Sequence, residues 1–193
     1  ELFVPNLNKL GFLNTLNMNN KESEAYYTIA RPKNKGKDSL SGHYELMGIE
    51  NNVSFKTFTE NAFPRDMLET IANKLKKGII GNIIGNHLSI INRLGRRHLE
   101  NGSLIIYTTG DSDLEVAAHE DIVPINELYQ YAEEIREIAK REEWKVGRVV
   151  ARPFTGQGEE FTLTNNVRYY TLTPPNKSVL DILKNNELQV ISI

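Results

Sequence analysis

The chain has 193 residues, contains no cysteine, and carries 23 basic against 25 acidic side chains, for a formal net charge of -2. This near balance gives no reason to expect a nucleic-acid or membrane partner, and the lack of cysteine excludes disulfides and thiolate metal sites. The apolar runs are far shorter than the roughly twenty residues that span a bilayer. We therefore expect a cytoplasmic globular protein with its own core. Because the chain begins at Glu1 without a methionine, we also expect a piece of a longer protein.

The first thirty residues predict a short helix, a polar loop and a strand. Residues 4–11 space their leucines three apart, with Pro5 in the first turn and Gly11 after the last leucine, as in a short helix. Residues 14–24 are rich in asparagine and lack an apolar period, which indicates a loop. Residues 26–30 are a possible strand.

A glycine-rich segment, residues 36–48, follows directly and reads GKDSLSGHYELMG. Ser39 lies beside Asp38 and is a candidate nucleophile, and a strand that leads through a loop into a helix often builds an anion site. The alternative is a polar loop before a helix whose N-cap is Ser39 or Ser41. A nucleotide-binding P-loop is excluded, because Arg31 and Asp38 occupy the places of its first glycine and its hydroxyl residue.

The middle of the chain predicts two helices around a short strand. Residues 64–77 place their apolar side chains on one helical face and end in lysines before a glycine. Ile79 and Ile80 form a short buried strand, and the Gly-Asn pairs of residues 81–86 indicate turns. A second helix follows and is expected to end at Gly95. Two helices packed beside a strand are typical of α/β proteins.

Two histidines in this region, His87 and His98, have no second ligand at helical spacing. A metal site would need further ligands that converge on one point. We therefore expect solvated or hydrogen-bonded histidines here.

The next elements are a buried strand, a polar turn and a helix. Residues 104–107 form a continuous apolar run of strand length, and residues 108–113 follow it as a polar turn. Pro124 opens a helix whose inward residues recur at spacings of three and four. These inward residues are Leu128, Tyr131, Ile135 and Ile138.

The strand at residues 148–152 carries two arginines on one face. Alternation places Arg148, Val150 and Arg152 on the same side, with the two arginine backbones about 13 Å apart. Two such arginines suggest an anion, and one of them is expected to be its direct ligand. The alternative is a pair of surface arginines on an edge strand.

Three segments resemble bacterial phosphopentomutases in the same order and at matching spacing. They are residues 36–48, residues 105–120 (IIYTTGDSDLEVAAHE) and residues 146–154 (VGRVVARPF). The likeness extends to the Gly81-Asn82 turn, to Phe161-Thr162 and to a closing strand at residues 190–193. It implies membership of the alkaline phosphatase superfamily.

The resemblance implies an α/β protein in which an α+β cap domain, with a mixed sheet and helices, is inserted into an α/β core like that of alkaline phosphatase. It assigns residues 1–53 to a partial core with the nucleophile loop, residues 54–172 to the cap, and residues 173–193 to a returning helix and strand of the core. The family holds two Mn²⁺ ions in its core. Their aspartate and histidine ligands belong to core regions outside this chain.

The implied activity is the interconversion of the 1- and 5-phosphates of ribose or 2-deoxyribose, an isomerase reaction of nucleoside salvage, with a pentose or glucose bisphosphate as activator. Ser39 matches the residue that is phosphorylated and that faces the metals. The positions that hold the far end of the pentose phosphate match Thr109, Asp111, Arg148 and the backbone at Val150. Arg148 is expected to meet the phosphate, and Asp111 to accept from a sugar hydroxyl or to orient an arginine.

Several positions depart from the family pattern. Leu163 and Val167 each stand where the family pattern has an arginine. Asp113 stands where the family usually has an apolar residue. We hypothesise that Arg168 restores the lost positive charge and binds substrate.

These departures leave two alternatives open. A noncatalytic sugar-phosphate-binding protein is favoured by Leu163, Val167 and the missing metal ligands. A relative of the cofactor-independent phosphoglycerate mutases is less favoured, because their nucleophile loop resembles NSEVGH more than the DSLSGH of residues 38–43. We expect this chain on its own, even with Mn²⁺, to lack mutase turnover.

Overall fold

The computed structural model describes residues 3–18, 21–51, 54–158 and 160–191. The chain divides into two compact units, Glu1–Lys33 and Asn34–Ile193. The boundary between these units lies within the first predicted domain. The predicted boundary at residue 53 falls on a residue outside the described ranges, and the three predicted domains stay predictions.

The first unit contains two short helices, α1 (Pro5–Lys9) and α2 (Phe12–Thr15). Gly11 joins them at a φ of 91°, a left-handed conformation that suits glycine. The predicted helix is therefore confirmed, whereas the predicted loop at residues 14–24 begins inside α2. The strand predicted at residues 26–30 is wrong, since these residues form no strand and their side chains are largely exposed. A lone extended segment has no neighbour to pair with.

The second unit is built on one mixed sheet of six described strands. β1 and β2 are parallel, β3 runs antiparallel to β2, and β4 runs parallel to β3. Both β5 and β6 pair with β4 in the antiparallel sense. The strands are β1 (Ile79–Ile84), β2 (Leu104–Thr108), β3 (Asp113–His119), β4 (Arg148–Gln157), β5 (Glu160–Leu163) and β6 (Arg168–Thr171).

The described part of the second unit contains five helices: α3 (Ser39–Leu46), α4 (Arg65–Leu75), α5 (His87–Asn101), α6 (Ile125–Ala139) and α7 (Val179–Asn185). α4 and α6 bury Met67 and Ile135 in the larger core on one face, and α5 buries Ile91 with Phe154 on the other. The predicted α/β class, with a mixed sheet and helices, is confirmed. Of the helices in the described ranges, none combines the length and the apolar character that a membrane span requires.

The helices predicted after Pro64 and Pro124 are confirmed as α4 and α6, and each proline occupies the N-cap. The strand predicted at Ile79 and Ile80 is longer than expected, because β1 continues through the predicted turn. Gly81 has a φ of 101°, and the pairing with β2 shifts register there, so the glycine marks a bulge within the strand.

α5 also extends beyond its predicted end. It continues past Gly95 to Asn101, and Gly102 follows as the C-cap in the left-handed conformation with a φ of 68°. Gly95 instead packs against Phe161, where an added Cβ would lie 2.5 Å from the ring. In the predicted strand at residues 190–193, Val190 and Ile191 have no strand conformation, and Ser192 and Ile193 lie outside the described residues.

A small third core holds α3 against the strand ends. Leu40, Tyr44, Ile49 and Phe55 are buried together, and Leu172 packs on them. The Tyr44 hydroxyl donates a 2.7 Å hydrogen bond to the Leu172 carbonyl. These contacts bring the amino terminus of α3 to the edge of the sheet where β2 ends and where β3 and β4 begin.

Candidate active site

The amino terminus of α3 is capped by Asp38, which is 5% exposed. Its carboxylate accepts from the Ser41 backbone N–H at 2.7 Å and from the Ser41 hydroxyl at 2.8 Å. The predicted caps, Ser39 or Ser41, are therefore wrong, because the carboxylate before them takes that role. Ser39 becomes the first residue of the helix, and its hydroxyl is left for other contacts.

Ser39, Asp111 and Arg148 meet at this helix terminus. The Ser39 hydroxyl donates to Asp111 Oδ2 at 2.5 Å, and the Ser39 backbone N–H donates to Asp111 Oδ1 at 3.2 Å. Arg148 Nη2 donates to Ser39 Oγ at 3.0 Å and to Asp111 Oδ2 at 3.3 Å. The structure thus brings together three predicted site residues, one from each sequence segment that carries the family resemblance.

Asp111 is the anionic centre of this group. Burial disfavours its charged form, but hydrogen bonds from Ser39 and Ser112, together with the positive charge of Arg148, outweigh burial and lower the pKa of Asp111. The carboxylate is therefore ionised at neutral pH and can only accept hydrogen bonds. Asp111 contacts Arg148, and the roles predicted for it in ligand binding stay predictions.

Thr109 lies in the turn before Asp111 and is exposed. Its hydroxyl donates to Asp113 Oδ2 at 2.7 Å, and its backbone N–H donates to Asp113 Oδ1 at 3.3 Å. Asp113 is 2% exposed and is the register partner of Arg148 across β3 and β4. The sequence placed Asp113 near the expected phosphate but predicted none of these contacts.

The two arginines of β4 have different partners. Arg152 forms a bidentate pair with Glu115, at 2.9 and 3.0 Å, and both side chains are largely buried. Arg148 instead contacts Asp111 through Nη2 alone, and its Nε has no hydrogen-bond partner among the described residues. β4 lies between β3 and β6, so the edge-strand alternative is wrong. Arg148 is therefore the arginine of β4 whose guanidinium is not fully paired within the described residues.

Burial also changes the pKa of the Glu115 carboxyl group. It raises the pKa of Glu115 to about 7, although the hydrogen bonds and the charge of Arg152 act in the opposite direction.

Val150, in register with Glu115, is 1% exposed, and its backbone lies between two paired strands. We therefore do not include Val150 among the site residues.

Two further positions lie away from the site. Arg168 is in register with Ala151 and faces the larger core, where its guanidinium lies 4.8 Å from the Tyr129 ring centroid. This is the opposite face of the sheet from Arg148, so the structure does not bring Arg168 to Ser39 and Asp111, and its substrate contact stays a prediction. Leu163 pairs with Phe154, towards the other end of β4.

A search against protein-family models returned no match. The likeness to phosphopentomutases therefore depends on the three sequence segments. The contact between Ser39, Asp111 and Arg148 is independent of that likeness, since it comes from the fold.

The resemblance places the two-manganese centre outside this chain, and the described residues offer no metal centre of their own. They contain no group of three or more carboxylate or imidazole side chains placed to hold a metal ion. The Ser39 hydroxyl, expected to face the metals, is hydrogen-bonded to the guanidinium of Arg148, and a cation is a poor neighbour for a metal ion. We derive no step through Mn²⁺.

The histidines behave as hydrogen-bonding groups. His98 Nδ1 lies 2.7 Å from the Ser103 carbonyl, and His98 Nε2 accepts from the His119 backbone N–H at 2.9 Å. His87 Nδ1 lies 2.9 Å from the Tyr107 hydroxyl. The prediction of hydrogen-bonded histidines is confirmed.

Proposed function

We propose that the chain is the sugar-phosphate-binding portion of a phosphopentomutase, which interconverts the 1- and 5-phosphates of ribose or 2-deoxyribose. One observation carries the proposal: Ser39 Oγ lies 2.5 Å from Asp111 Oδ2 and 3.0 Å from Arg148 Nη2. A hydroxyl beside a carboxylate and a guanidinium has the neighbours that phosphoryl transfer needs. The small-molecule partners are pentose phosphates, and the lack of cysteine favours a cytoplasmic enzyme.

Each residue of the group has a separate part in the proposed reaction. Arg148 binds phosphate, since a planar guanidinium can donate two hydrogen bonds to it. In the first transfer, the bond from phosphorus to the Ser39 oxygen breaks and a bond to the free sugar hydroxyl forms. The sugar hydroxyl gives its proton to Asp111, and Asp111 passes that proton to the departing Ser39 oxygen, with which it is hydrogen-bonded.

The second transfer reverses these roles on the pentose bisphosphate. Ser39 Oγ attacks the phosphorus at the other position of the sugar, and Asp111 accepts the serine proton. That proton returns to the sugar oxygen as its bond to phosphorus breaks. Ser39 is phosphorylated again, and the monophosphate is released with its phosphate at the new position.

The binding part of the proposal is testable on this chain by calorimetric titration with ribose 5-phosphate. A hydrogen bond to a charged group contributes about 1.5–3 kcal/mol, so Arg148→Met should weaken binding by about tenfold or more. Arg97→Met, on the exposed side of α5, is the matched control and should bind as the wild type does. No binding by the wild type would overturn the proposal. Tighter binding of 3-phosphoglycerate would favour the relative of the phosphoglycerate mutases.

A noncatalytic sugar-phosphate-binding protein is the second candidate, favoured by Leu163 and Val167, which stand where the family pattern has arginines. An assay of the complete gene product with Mn²⁺ separates the two. Ser39→Ala should abolish mutase turnover and retain ribose 5-phosphate binding, and Ser89→Ala on the exposed surface of α5 should retain both. Binding without turnover in the wild type would support the noncatalytic protein.

A further inference from the structure

Asp113 organises the turn that carries Thr109. Its carboxylate accepts from the Thr108 hydroxyl at 2.8 Å and from the Thr109 backbone and hydroxyl at 3.3 and 2.7 Å. The Gly110 N–H donates to Thr108 Oγ1 at 3.1 Å, which leaves the Thr108 proton for Asp113. The carboxylate is almost fully enclosed by protein, at 2% exposure. These contacts fix the direction of both threonine hydroxyls.

The direction of the Thr109 hydroxyl limits what it can recognise. A hydroxyl has one proton to donate, and Thr109 donates it to Asp113 Oδ2. The Thr109 side chain is otherwise exposed, so its oxygen can still accept a hydrogen bond from a ligand. A phosphate oxygen without a proton cannot donate that bond, whereas a sugar hydroxyl can.

The negative charges of the nearby carboxylates also favour a sugar hydroxyl over a phosphate at Thr109. Asp111 contacts Arg148, and Asp113 is the register partner of Arg148, so two carboxylates accompany the ligand-facing guanidinium. A phosphate that approached Thr109 would meet the negative charge of Asp113 behind it. A neutral hydroxyl meets no such repulsion.

We propose that Asp113 sets the ligand specificity of the site: it holds Thr109 as a hydrogen-bond acceptor and so selects ligands that present a sugar hydroxyl beside a phosphate bound to Arg148. This inference rests on the proposed function and assigns Thr109 a contact with the sugar and not with the phosphate. Asp113 acts through Thr109 and is a positioning residue.

The Asp113→Asn variant reverses one hydrogen bond with little change in shape. The amide oxygen can replace Oδ1, which accepts from Thr108 Oγ1 and the Thr109 N–H, and the amide NH₂ can replace Oδ2. The NH₂ then donates to Thr109, whose proton turns outward to a ligand acceptor. The probes are ribose 5-phosphate and methyl phosphate, which lacks a hydroxyl group, and the readout is the ratio of their dissociation constants.

We expect the wild type to bind ribose 5-phosphate more tightly than methyl phosphate. Asp113→Asn should reduce that preference about tenfold, because one hydrogen bond to the ligand is lost. Thr109→Val should reduce it similarly and Thr109→Ser should keep it. In the Thr109→Val background, Asp113→Asn should change the ratio little further. An unchanged ratio in Asp113→Asn or in Thr109→Val overturns this inference alone. Failure of the wild type to bind ribose 5-phosphate overturns the proposed function as well.

Discussion

Replacement of Arg152 by methionine should separate the structural arginine of β4 from Arg148, the arginine that is proposed to bind the ligand. Arg152 and Glu115 form two hydrogen bonds, and their side chains are only 11% and 2% exposed. Methionine keeps much of the aliphatic stem but removes the charge, which leaves a buried carboxylate unpaired. Loss of one partner of such a pair destabilises a protein by about 3–5 kcal/mol.

The size of this loss should depend on pH. Burial raises the pKa of Glu115 to about 7, above its ordinary 4.5, although Arg152 opposes the change; without Arg152 the pKa should be raised further. A carboxyl group whose pKa is higher in the folded state binds a proton on folding. Its penalty is therefore full above the folded-state pKa and fades as the pH falls towards 4.5.

Urea unfolding of the wild type, Arg152→Met, Glu115→Gln and the double variant provides the assay. The double variant should recover much of the stability lost in Arg152→Met, because it buries no unpaired charge. Arg97→Met is again the exposed control. The reasoning fails if Arg152→Met is as stable as the wild type at neutral pH. It also fails if the folded variant loses ribose 5-phosphate binding as Arg148→Met does.

Two further predictions concern the helix and histidine packing. Gly95→Ala should lower the free energy of unfolding in urea by about 1 kcal/mol net, since overpacking against Phe161 outweighs the gain of helix propensity; a more stable variant would contradict this. His98 uses one ring nitrogen towards Ser103 and the other towards His119, and burial lowers its pKa below the ordinary 6.5. Thermal stability should therefore fall as the pH drops through 6.5, and a His98→Gln variant that kept the same pH dependence would refute this.

The elements that the sequence predicted well are those that local pattern determines. The helices after Pro64 and Pro124 have a proline at the start and a regular apolar stripe, and the apolar run of β2 has the length of a strand. The bulge at Gly81 was not predictable in this way. Next to it, the Asn82 side chain bonds both the N–H and the carbonyl of Phe63, and such a distant contact leaves no local pattern.

Alternation along β4 predicted its arginine pair, whereas Thr109 and Asp111 were predicted from the family resemblance alone. Arg148 and Arg152 share one face of β4, and Asp113 and Glu115 alternate with apolar residues in β3, a signal that the sequence analysis did not use. The pairing between the strands could not be derived from that signal. It depends on register, and the register of β6 likewise places Arg168 on the opposite face.

The different partners of the two arginines decide which one can exchange its carboxylate for a phosphate. If Arg152 turned away from Glu115, the Glu115 carboxylate would be left unpaired with almost no contact with solvent. Asp111 would keep its hydrogen bonds from Ser39 and from the Ser112 N–H if Arg148 turned to a phosphate, and its side chain is 23% exposed. Exchange at Arg148 therefore leaves each group partnered.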